Sequence, residues 1–319
     1  MIQEINGDFL QWLRGFYYVA TAGSVSRAAE LMCRNQSAVT YQLQSLESSL
    51  NTELFLRVEG RMILTPAGEK LLKWAVITFD DIAALRAEVG NLNGELNGAL
   101  RISGNRPTYH HARFVNTLRA YSAAHPKVDI HLEAGYPDEC IRDVEIGSSD
   151  MALIGLHKTP PVCAFEQLFS VPYVLVTPPG HEYHLDDRPT SEQIAEIPLI
   201  RFQLRRHIKS YDYHFLAEQI EELTGRVSPL SCSNYWILLK YVAEGMGAAI
   251  IDAWSYGSLS SRLEPGVWAY SLSHLLPVLP YGILTRKKGR LSPAATAFRE
   301  ALRNGFADTS PEGILPSRS

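Results

Sequence analysis

Residues 24–47 have the sequence S-V-S-R-A-A-E-L-M-C-R-N-Q-S-A-V-T-Y-Q-L-Q-S-L-E. It predicts two short helices joined by a tight turn, the first from about Val25 to Met32 and the second from about Gln36 to Glu47. Ser24 and Asn35 precede these helices, and both have a side-chain oxygen that can accept a hydrogen bond from a free helix N–H group. This arrangement is typical of a helix-turn-helix.

The second helix is predicted to have two chemically different faces. Val39, Leu43 and Leu46 recur at helical spacing, so we expect them to face inward, and a helix over Phe9–Ala22 is expected to pack behind them. The outer face presents amides and hydroxyls, which can bind base edges and phosphates in the major groove. The alternative is an ordinary helical hairpin with a polar surface. The candidate DNA-contacting residues in this region are Arg34, Gln36, Ser37, Thr40, Tyr41 and Gln44.

A short β-wing is predicted to follow the helix-turn-helix. Glu53–Arg57 and Met62–Leu64 have the composition of two strands, with a turn near Glu59-Gly60. Arg57 and Arg61 flank that turn, where they can meet phosphates or the minor groove. The alternative is that both are solvated arginines on a hairpin.

A long helix is predicted from Pro66, with Thr65 as its cap. A heptad of mostly apolar residues implies a partner helix and therefore dimerisation. The alternative is a helix packed on its own protein, with Leu72 and Phe79 forming a second apolar face. Asn91–Gly98 then breaks the helix and forms a linker. The heptad positions are Leu71, Ala75, Thr78, Ile82, Leu85, Val89 and Leu92.

From Ala99 onward, strands and helices alternate, which predicts parallel α/β layers. The predicted strands are Ala99–Ser103, Val128–Glu133, Met151–Gly155, Val171–Thr177, Leu199–Phe202, Ala248–Ile251 and Pro280–Thr285. The predicted helices are Thr108–His125, Cys140–Gly147, Ser191–Glu196, Tyr211–Thr224, Trp236–Glu244 and Pro293–Asn304.

Composition and charge limit the class of protein. Of the 319 residues, 46% are hydrophobic and 20% charged, as in soluble globular proteins, and neither a signal peptide nor a membrane span is evident. We therefore expect a cytoplasmic protein. The formal net charge is −4, and the first 65 residues contain five arginines against six acidic residues. Phosphate neutralisation supplies most non-specific DNA affinity, so one DNA-binding head should bind weakly and several should act together.

The motifs of an enzyme or a metal site are not found in the sequence. It contains no Gly-rich phosphate loop, no GxSxG and no HExxH. The pairs His110-His111 and His181/His184 lack further ligands, so solvated or hydrogen-bonded histidines are favoured over a metal site. The four cysteines form no CxxC, and we interpret them as buried thiols. A redox sensor at Cys140 or Cys163 is the alternative.

The stretch from Phe16 to Gly68 resembles the LysR-type transcriptional regulators. The resemblance is carried by F-Y-Y-V-A-T-A-G-S-V-S-R-A-A-E-L-M, N-Q-S-A-V-T-Y-Q-L-Q-S-L-E and L-F-L-R-V…L-T-P-A-G. It continues with G-A-L-R-I at Gly98–Ile102, S-S-D-M-A-L-I at Ser148–Ile154 and V-A-E-G-M-G-A-A-I at Val242–Ile250. The match therefore covers nearly the whole chain.

The resemblance implies an α/β architecture with a winged helix-turn-helix, a long linker helix and a two-subdomain effector domain like a periplasmic binding protein. The expected chain crossings near Val171 and Leu279 make two hinges. The implied assembly is a homodimer or homotetramer. The expected domains are the winged helix-turn-helix at 1–65, the linker helix at 66–97, the effector domain at 98–305 and a tail at 306–319; subdomain I comprises 98–170 and 279–305, and subdomain II comprises 171–278.

The resemblance also guides the choice of recognition residues. Gln36, Thr40 and Gln42 match the common pattern of the family's recognition helix. Ser37 stands where proline is usual, and Tyr41 stands where a basic residue is frequent. The operator sequence therefore cannot be carried over from the family.

For the effector site, the resemblance indicates the loop after the first effector-domain strand and the crossover edge. Arg106 and Arg201 can clamp a carboxylate or phosphate, Thr108 can offer a hydroxyl near a helix start, and Phe202 can wall an organic ring. The alternative is that both arginines are surface residues. Pro137 stands near the position where many members offer a hydroxyl. The candidate residues are Asn105, Arg106, Pro107, Thr108, Arg201, Phe202 and Gln203.

The function implied is that of a transcriptional regulator, not an enzyme, which binds promoter DNA and is controlled by a small organic anion. RNA polymerase is a further expected partner; no metal, bound cofactor or membrane is expected. Two alternatives are a solute-binding module and a DNA-binding protein that no longer responds to a ligand. The effector, the target genes and the direction of regulation are not evident from the residues.

Overall fold

The computed structural model describes residues 8–58, 61–90, 95–202, 220, 223, 225, 227–264, 266–307 and 309. The chain divides into two compact units. The first comprises Met1–Leu92 with two short segments, Glu145–Ser148 and Lys288–Ser292; the second comprises the remainder.

The first unit contains the helix-turn-helix, the hairpin and the long helix. The two hairpin strands are antiparallel, with Arg57 opposite Met62 and Val58 opposite Arg61. The turn predicted at Glu59-Gly60 lies outside the described residues. The elements are α1 (Phe9–Ala22), α2 (Val25–Leu31), α3 (Gln36–Leu50), β1 (Phe55–Val58), β2 (Arg61–Leu64) and α4 (Pro66–Gly90).

Local hydrogen bonds explain where these helices begin and end. The Ser24 hydroxyl accepts the Arg27 N–H at 3.2 Å, which confirms the predicted cap of α2. Asn35 precedes α3 in an extended conformation, but its side chain makes no capping bond, so that part of the prediction was wrong. Helix α3 runs three residues past the predicted Glu47, because the chain turns at Asn51, which has a left-handed φ of 48°.

The core of the first unit is built from the predicted inward stripe. Val39 and Leu46 on α3 are fully buried, as are Phe16 and Val19 on α1. The Phe16 ring packs on Phe55 of β1 with ring centroids 5.4 Å apart. The helical period therefore identified the buried face correctly, and the wing is anchored to the same core.

Helix α4 combines both interpretations of its heptad. Ala75 is fully buried, and Leu71 packs on the core of the first unit, as the alternative of a helix on its own protein requires. Leu85 and Val89, farther along the same stripe, are each 60% exposed. The second half of α4 thus leaves an apolar stripe uncovered within the single chain.

The second unit contains a five-stranded mixed sheet in the order β4-β3-β5-β12-β6. Strand β3 is parallel to β4 and β5, whereas β12 is antiparallel to β5 and β6. Four strands therefore share one direction and β12 alone runs against them, so the expectation of parallel layers was right for the β3–β4 and β3–β5 pairs and wrong for both pairs of β12. The strands are β3 (Gly98–Gly104), β4 (Val128–Ala134), β5 (Met151–Gly155), β6 (Cys163–Val171) and β12 (Leu279–Arg286); the helices beside them are α5 (Arg106–His110), α6 (Ala112–Ala124), α7 (Pro137–Glu145) and α11 (Pro293–Phe306).

A second group of elements lies between β6 and β12 in the chain. It contains an antiparallel sheet in the order β10-β7-β11 and a parallel pair, β8 and β9. Its elements are β7 (Tyr173–Thr177), α8 (Ser191–Ala195), β8 (Leu199–Phe202), β9 (Val227–Cys232), α9 (Tyr235–Ala243), β10 (Ala249–Asp252), α10 (Ala253–Leu259) and β11 (Trp268–Ser271). The predicted helix Tyr211–Thr224 lies outside the described residues, apart from isolated positions.

The two chain crossings between these groups lie side by side. Strand β6 ends at Val171 and β12 begins at Leu279, and these two residues are partners in the β6–β12 ladder. The two groups of elements, which we call subdomains I and II, are therefore joined at adjacent points of one sheet. Two neighbouring crossings of this kind are suited to act as a hinge.

Several element boundaries differ from the prediction. The helix predicted over Thr108–His125 is two helices, because the backbone is extended at His111. The strand predicted from Val171 begins at Tyr173, and Cys163–Val171 forms a separate, unpredicted strand. Helix α11 extends to Phe306, which is 1% exposed and thus part of the core rather than a tail. No helix among the described residues is both long and apolar enough to span a membrane.

Candidate nucleic-acid interface and ligand cavity

The outer face of α3 is polar and almost uncharged. Gln36, Ser37 and Gln44 are exposed, Tyr41 is 65% exposed, and Thr40 is half-buried. Arg34, in the turn before the helix, is exposed as well. The structure therefore brings all six candidate residues of this region to the solvent side of the motif, where neutral amides and hydroxyls can meet base edges.

Gln42 does not belong to this outer face. Its side chain is half-buried and points to α1, where a Cβ added to Gly15 would lie 2.5 Å from its Oε1 atom. Among the described residues this oxygen is buried without a hydrogen-bond partner. The resemblance had included Gln42 in the recognition pattern, but in this chain it packs between α1 and α3.

The wing presents one described arginine. Arg57 is exposed on β1, and the Met62 N–H donates to the Gly23 carbonyl at 3.3 Å, which ties the wing to the turn between α1 and α2. The side chain of Arg61 lies outside what the structure describes, although its backbone pairs with Val58. Arg57 is thus held in a fixed relation to the helix-turn-helix.

A cavity of about 430 Å³ lies between subdomains I and II of the second unit. Subdomain I contributes the turn after β3 and the segment from β4 into α7, and subdomain II contributes the end of β8, the start of α9 and the end of β10. The side chains with polar or aromatic groups in its wall are Asn105, Arg106, His110, Tyr136, Glu139, Tyr173, Phe202, Asn234, Tyr235, Trp236, Asp252 and Arg262.

The structure places three of the five principal effector candidates, Asn105, Arg106 and Phe202, in the cavity wall. Thr108 is fully buried instead, and its hydroxyl bonds to Asn105 Oδ1 and to the Tyr281 hydroxyl, so it is not available to a ligand. Arg201 is exposed and outside the wall, because neighbouring side chains on a strand point to opposite faces and Phe202 takes the inward position.

Of the two further candidates, Pro107 lines the cavity, and Gln203 lies outside the described residues. Pro137 also lines it. These findings change the expected arginine pair. The second arginine in the cavity wall, besides Arg106, is Arg262 of subdomain II rather than Arg201.

Asp252 is a wall residue that sequence reasoning missed. It is 4% exposed, and its two oxygens accept hydrogen bonds from the Ser255 N–H and the Ser255 hydroxyl, each at 2.7 Å. Burial raises the pKa of the Asp252 carboxyl, and these hydrogen bonds oppose the rise. The sequence signal was an acidic residue between an apolar strand and a helix start, which indicates an N-cap but not a cavity.

Hydrogen bonds cross the cavity between the two subdomains. The Tyr136 hydroxyl of subdomain I donates to the Ser233 carbonyl of subdomain II at 2.5 Å. The Tyr136 N–H donates to the Glu139 carboxylate at 2.8 Å, which orients that side chain. The Tyr173 hydroxyl lies 3.2 Å from the Nε2 atom of His157. Burial lowers the pKa of His157. The Tyr136–Ser233 and Tyr173–His157 hydrogen bonds therefore link the two subdomains beside the cavity.

An aromatic cluster lies behind the cavity. Trp254 of α10 stacks on His111 with ring centroids 3.5 Å apart and planes 6° apart, and it also packs on Phe169, Tyr281 and Phe306. Burial, with a smaller contribution from the Arg113 charge, lowers the pKa of His111 to about 4. The Tyr281 hydroxyl donates to Asn105 Oδ1 at 2.5 Å and so links this cluster to the cavity wall.

In the described part of the chain no group of three potential metal ligands comes together. Cys140 and Cys163 are buried in an apolar cluster, and burial raises the pKa of Cys140, which disfavours the reactive thiolate. Cys33 is exposed, so its interpretation as a buried thiol was wrong.

Comparison with known families agrees with this architecture. Residues 10–69 match the bacterial regulatory helix-turn-helix protein family of the lysR type, and residues 93–307 match the LysR substrate binding domain. The chain belongs to the LysR family. It is a LysR-type DNA-binding transcriptional regulator with an effector-binding domain.

Relatives match over nearly their full length. The chain is 26% identical over 307 residues to the HTH-type transcriptional regulator GltR of Bacillus subtilis, covering 95% of this chain and 99% of GltR. It is 28% identical over 319 residues to the SDS degradation transcriptional activation protein of a Pseudomonas species, covering 95% of this chain and 98% of that protein.

Solved structures share the fold. A variant of full-length OxyR from Pseudomonas aeruginosa superposes with a TM-score of 0.73 at 18% identity, covering 97% of this chain and 98% of that chain. Full-length CbnR in complex with its target DNA superposes with a TM-score of 0.56 at 18% identity, covering 93% and 99%.

Proposed function

We propose that this regulator binds promoter DNA as a homodimer or homotetramer and that a small organic anion in the cavity controls its DNA binding. The observation that carries the effector part is the pair Arg106 and Arg262, which line one cavity from opposite subdomains. A guanidinium group presents paired N–H donors that match a carboxylate or phosphate. The cavity volume of about 430 Å³ is in the usual range for small-molecule sites.

The proposed response is a closure of subdomain II on subdomain I. The two crossings at Val171 and Leu279 are neighbours in one sheet, so the subdomains can rotate about a short axis. A ligand bound by both arginines favours the closed state, because only that state satisfies both contacts. Binding of the effector and movement of the subdomains are then one equilibrium.

The proposed DNA contacts come from α3 and the wing. Gln36, Ser37, Thr40, Tyr41 and Gln44 are assigned to the major groove, whereas Arg34, Arg57 and Arg61 are assigned to the backbone or minor groove. With five arginines against six acidic residues up to Thr65, one head gains little phosphate affinity. A dimer gains from linking two heads on successive major-groove faces, about one helical turn apart.

The proposed partner surface in the dimer is the second half of α4, where Leu85 and Val89 are exposed. A partner helix would bury this stripe. In a tetramer, closure of the effector cavity alters the spacing of the DNA-binding heads and hence the bend of the DNA. The bend then changes access for RNA polymerase. We place this activity in the cytoplasm. The proposed domain boundaries are those expected from the sequence, with the effector domain extended to Phe306.

The effector proposal is tested by calorimetric titration of the full-length protein with a panel of organic acids. The test variants are Arg106→Gln and Arg262→Gln, and Arg201→Gln is the matched control, because Arg201 lies outside the cavity wall. We expect the first two to lose at least about tenfold in affinity, as for a lost charge-assisted hydrogen bond, and the control to keep it. Equal losses in all three variants, or binding of none of the acids, would argue against an anion in this cavity.

A further inference from the structure

We infer that Tyr41 determines part of the DNA specificity by packing its ring on the 5-methyl group of a thymine in the major groove. This inference rests on the proposed docking of α3 in that groove and names the chemical group that its central side chain recognises. It predicts a T·A base pair beneath the middle of α3 in each half-site.

Tyr41 lies at the centre of the outer face of α3. The buried stripe of this helix is Val39, Leu43 and Leu46. At about 100° per residue, Tyr41 lies within about 15° of the direction opposite to that stripe. When α3 docks with its buried side away from the DNA, its flanks face the phosphates on either side of the groove, and this central position faces the base edges on the floor.

The Tyr41 side chain also stands out from its neighbours. It is 65% exposed, and no other large hydrophobic side chain among the described residues is exposed to that extent. Ser37 lies one turn before it and Ser45 one turn after it, so small side chains flank the ring along the helix. The ring can therefore reach a base edge before the side chains beside it do.

The composition of α3 does not provide the commonest contact to guanine. Guanine is read mainly by arginine or lysine, and α3 contains neither. Its one charged residue, Glu47, accepts the Leu54 N–H at 2.7 Å and is thereby held against the segment before β1. The groups left for base contact from α3 are amides, which match adenine, hydroxyls, and the Tyr41 ring.

The thymine methyl is the group that matches this ring. It is the one methyl group on the major-groove edges of the base pairs, where the other recognition groups are hydrogen-bond donors and acceptors. An aromatic ring face that covers a donor or an acceptor displaces its water without replacing the hydrogen bond, which costs free energy. A ring that covers the methyl removes apolar surface of both partners from water, which is favourable.

The test measures the affinity of the full-length protein for duplexes in which deoxyuridine replaces thymine at one position at a time. Deoxyuridine keeps the base pair and lacks only the methyl group. The parent duplex is a genomic fragment that the protein retains at moderate salt. We expect one thymine in each half-site at which the replacement weakens binding about fourfold, the value of one buried methyl group.

The variants connect that methyl group to Tyr41. The loss on deoxyuridine replacement should be absent in Tyr41→Ala and retained in Tyr41→Phe, which keeps the ring and removes the hydroxyl. Tyr241→Ala, at an exposed position of α9, is the matched control and should respond to deoxyuridine as the wild type does.

Two results would overturn the inference while leaving DNA recognition by α3 in place. The first is a deoxyuridine response in Tyr41→Ala identical to that of the wild type. The second is an equal loss of affinity in Tyr41→Phe and Tyr41→Ala, which would assign the residue to a hydrogen bond with phosphate or a base. If no fragment is retained at all, the proposed DNA contacts fail together with this inference.

Discussion

Gln36 is the first residue of α3 and is exposed at the end of the helix that would enter the major groove. Its amide can bond to two positions on an adenine edge, so we expect Gln36→Ala to lose about 1–3 kcal/mol of discrimination at each contacted base. Competition binding on point-substituted operator duplexes measures this directly. Ser48→Ala, at the far end of the same helix, is the control, and equal loss of discrimination in both variants would speak against base contact by Gln36.

Arg57 should act differently, because a phosphate contact carries no sequence information. We expect Arg57→Ala to weaken binding to all duplexes and to reduce the slope of log affinity against log salt by about one unit per lost contact. Arg119→Ala, an exposed arginine of α6, is the control. A slope unchanged in Arg57→Ala would remove the wing from the DNA contacts.

Individual residues could be predicted where one helix decides their position. The buried Val39 and the exposed Gln36 follow from the helical period alone. Arg262 and Asp252 could not be found in this way, because their place in the cavity depends on distant segments that meet only after folding. The expected place of Arg201 in the cavity was wrong for a local reason, since a one-residue difference on a strand reverses the direction of the side chain.

Strand β12 lies between β5 and β6 and requires close backbone approach at Gly282. A Cβ on Gly282 would lie 2.0 Å from the carbonyl oxygen of Glu166 and 2.8 Å from Cα of Gln167. Since a backbone obstacle cannot rotate away, we expect Gly282→Ala to destabilise the second unit by about 1–3 kcal/mol or more. Thermal unfolding of the full chain measures the effect.

Gly257→Ala is the matched control for this substitution. Gly257 lies within α10, and a Cβ there would meet no heavy atom within 4 Å. Because alanine favours helices over glycine by about 1 kcal/mol, this variant should be neutral or slightly more stable. Similar unfolding temperatures for both variants would show that the close approach of β6 and β12 does not exclude a side chain at Gly282.

The break between α5 and α6 places His111 against Trp254, and this contact should be visible in the pH dependence of stability. The folded-state pKa of His111 is about 4, below the ordinary imidazole value of about 6.5, so the unfolded chain binds more protons between these pH values. Stability should therefore fall as the pH is lowered from about 6.5 towards 4.

His111→Phe retains an aromatic ring on Trp254 but cannot titrate, so it should show a smaller loss of stability on acidification than the wild type. Thermal unfolding at about pH 7 and about pH 5 gives the comparison. His184→Phe, at an exposed position, is the control. If His111→Phe and wild type lose equal stability, then His111 is not the group that remains neutral on folding.

The break between α5 and α6 could not be predicted from the helical periodicity of the sequence. The residues of α5 and α6 have no strong helix breaker between them, so a single helix was predicted over Thr108–His125. The extended backbone at His111 coincides with its stack on Trp254, a contact between distant segments that periodicity does not reveal. Strand β9 was not predicted; it contains Pro229, a residue that argues against a strand although proline is tolerated at a sheet edge.

For the whole molecule, the exposed stripe of α4 predicts assembly. A carboxylate at the centre of a helix–helix seam is costly, so Leu85→Glu should shift the protein from dimer or tetramer towards monomer. Light scattering over a concentration series measures this. Arg86→Glu introduces the same residue at the neighbouring exposed position and should have less effect. An unchanged mass in Leu85→Glu would exclude this stripe as the dimer seam.

The architecture of the whole chain was largely predictable, because each domain has its own signal. The helix-turn-helix, the linker helix and the alternating strands and helices occur in the expected order. The mixed direction of the five-stranded sheet was not predictable from the residues of β12, because a buried strand has the same apolar pattern in either direction.

The most direct measurement is selection of random genomic DNA fragments by the full-length protein at moderate salt, followed by sequencing of the retained fragments. We expect enrichment of fragments that share a dyad-symmetric site, with half-sites about one helical turn apart, and loss of that enrichment in Gln36→Ala. Organic acids that bind the cavity should change the recovered fraction. No enrichment at low salt, with or without such ligands, would contradict sequence recognition through α3 under effector control.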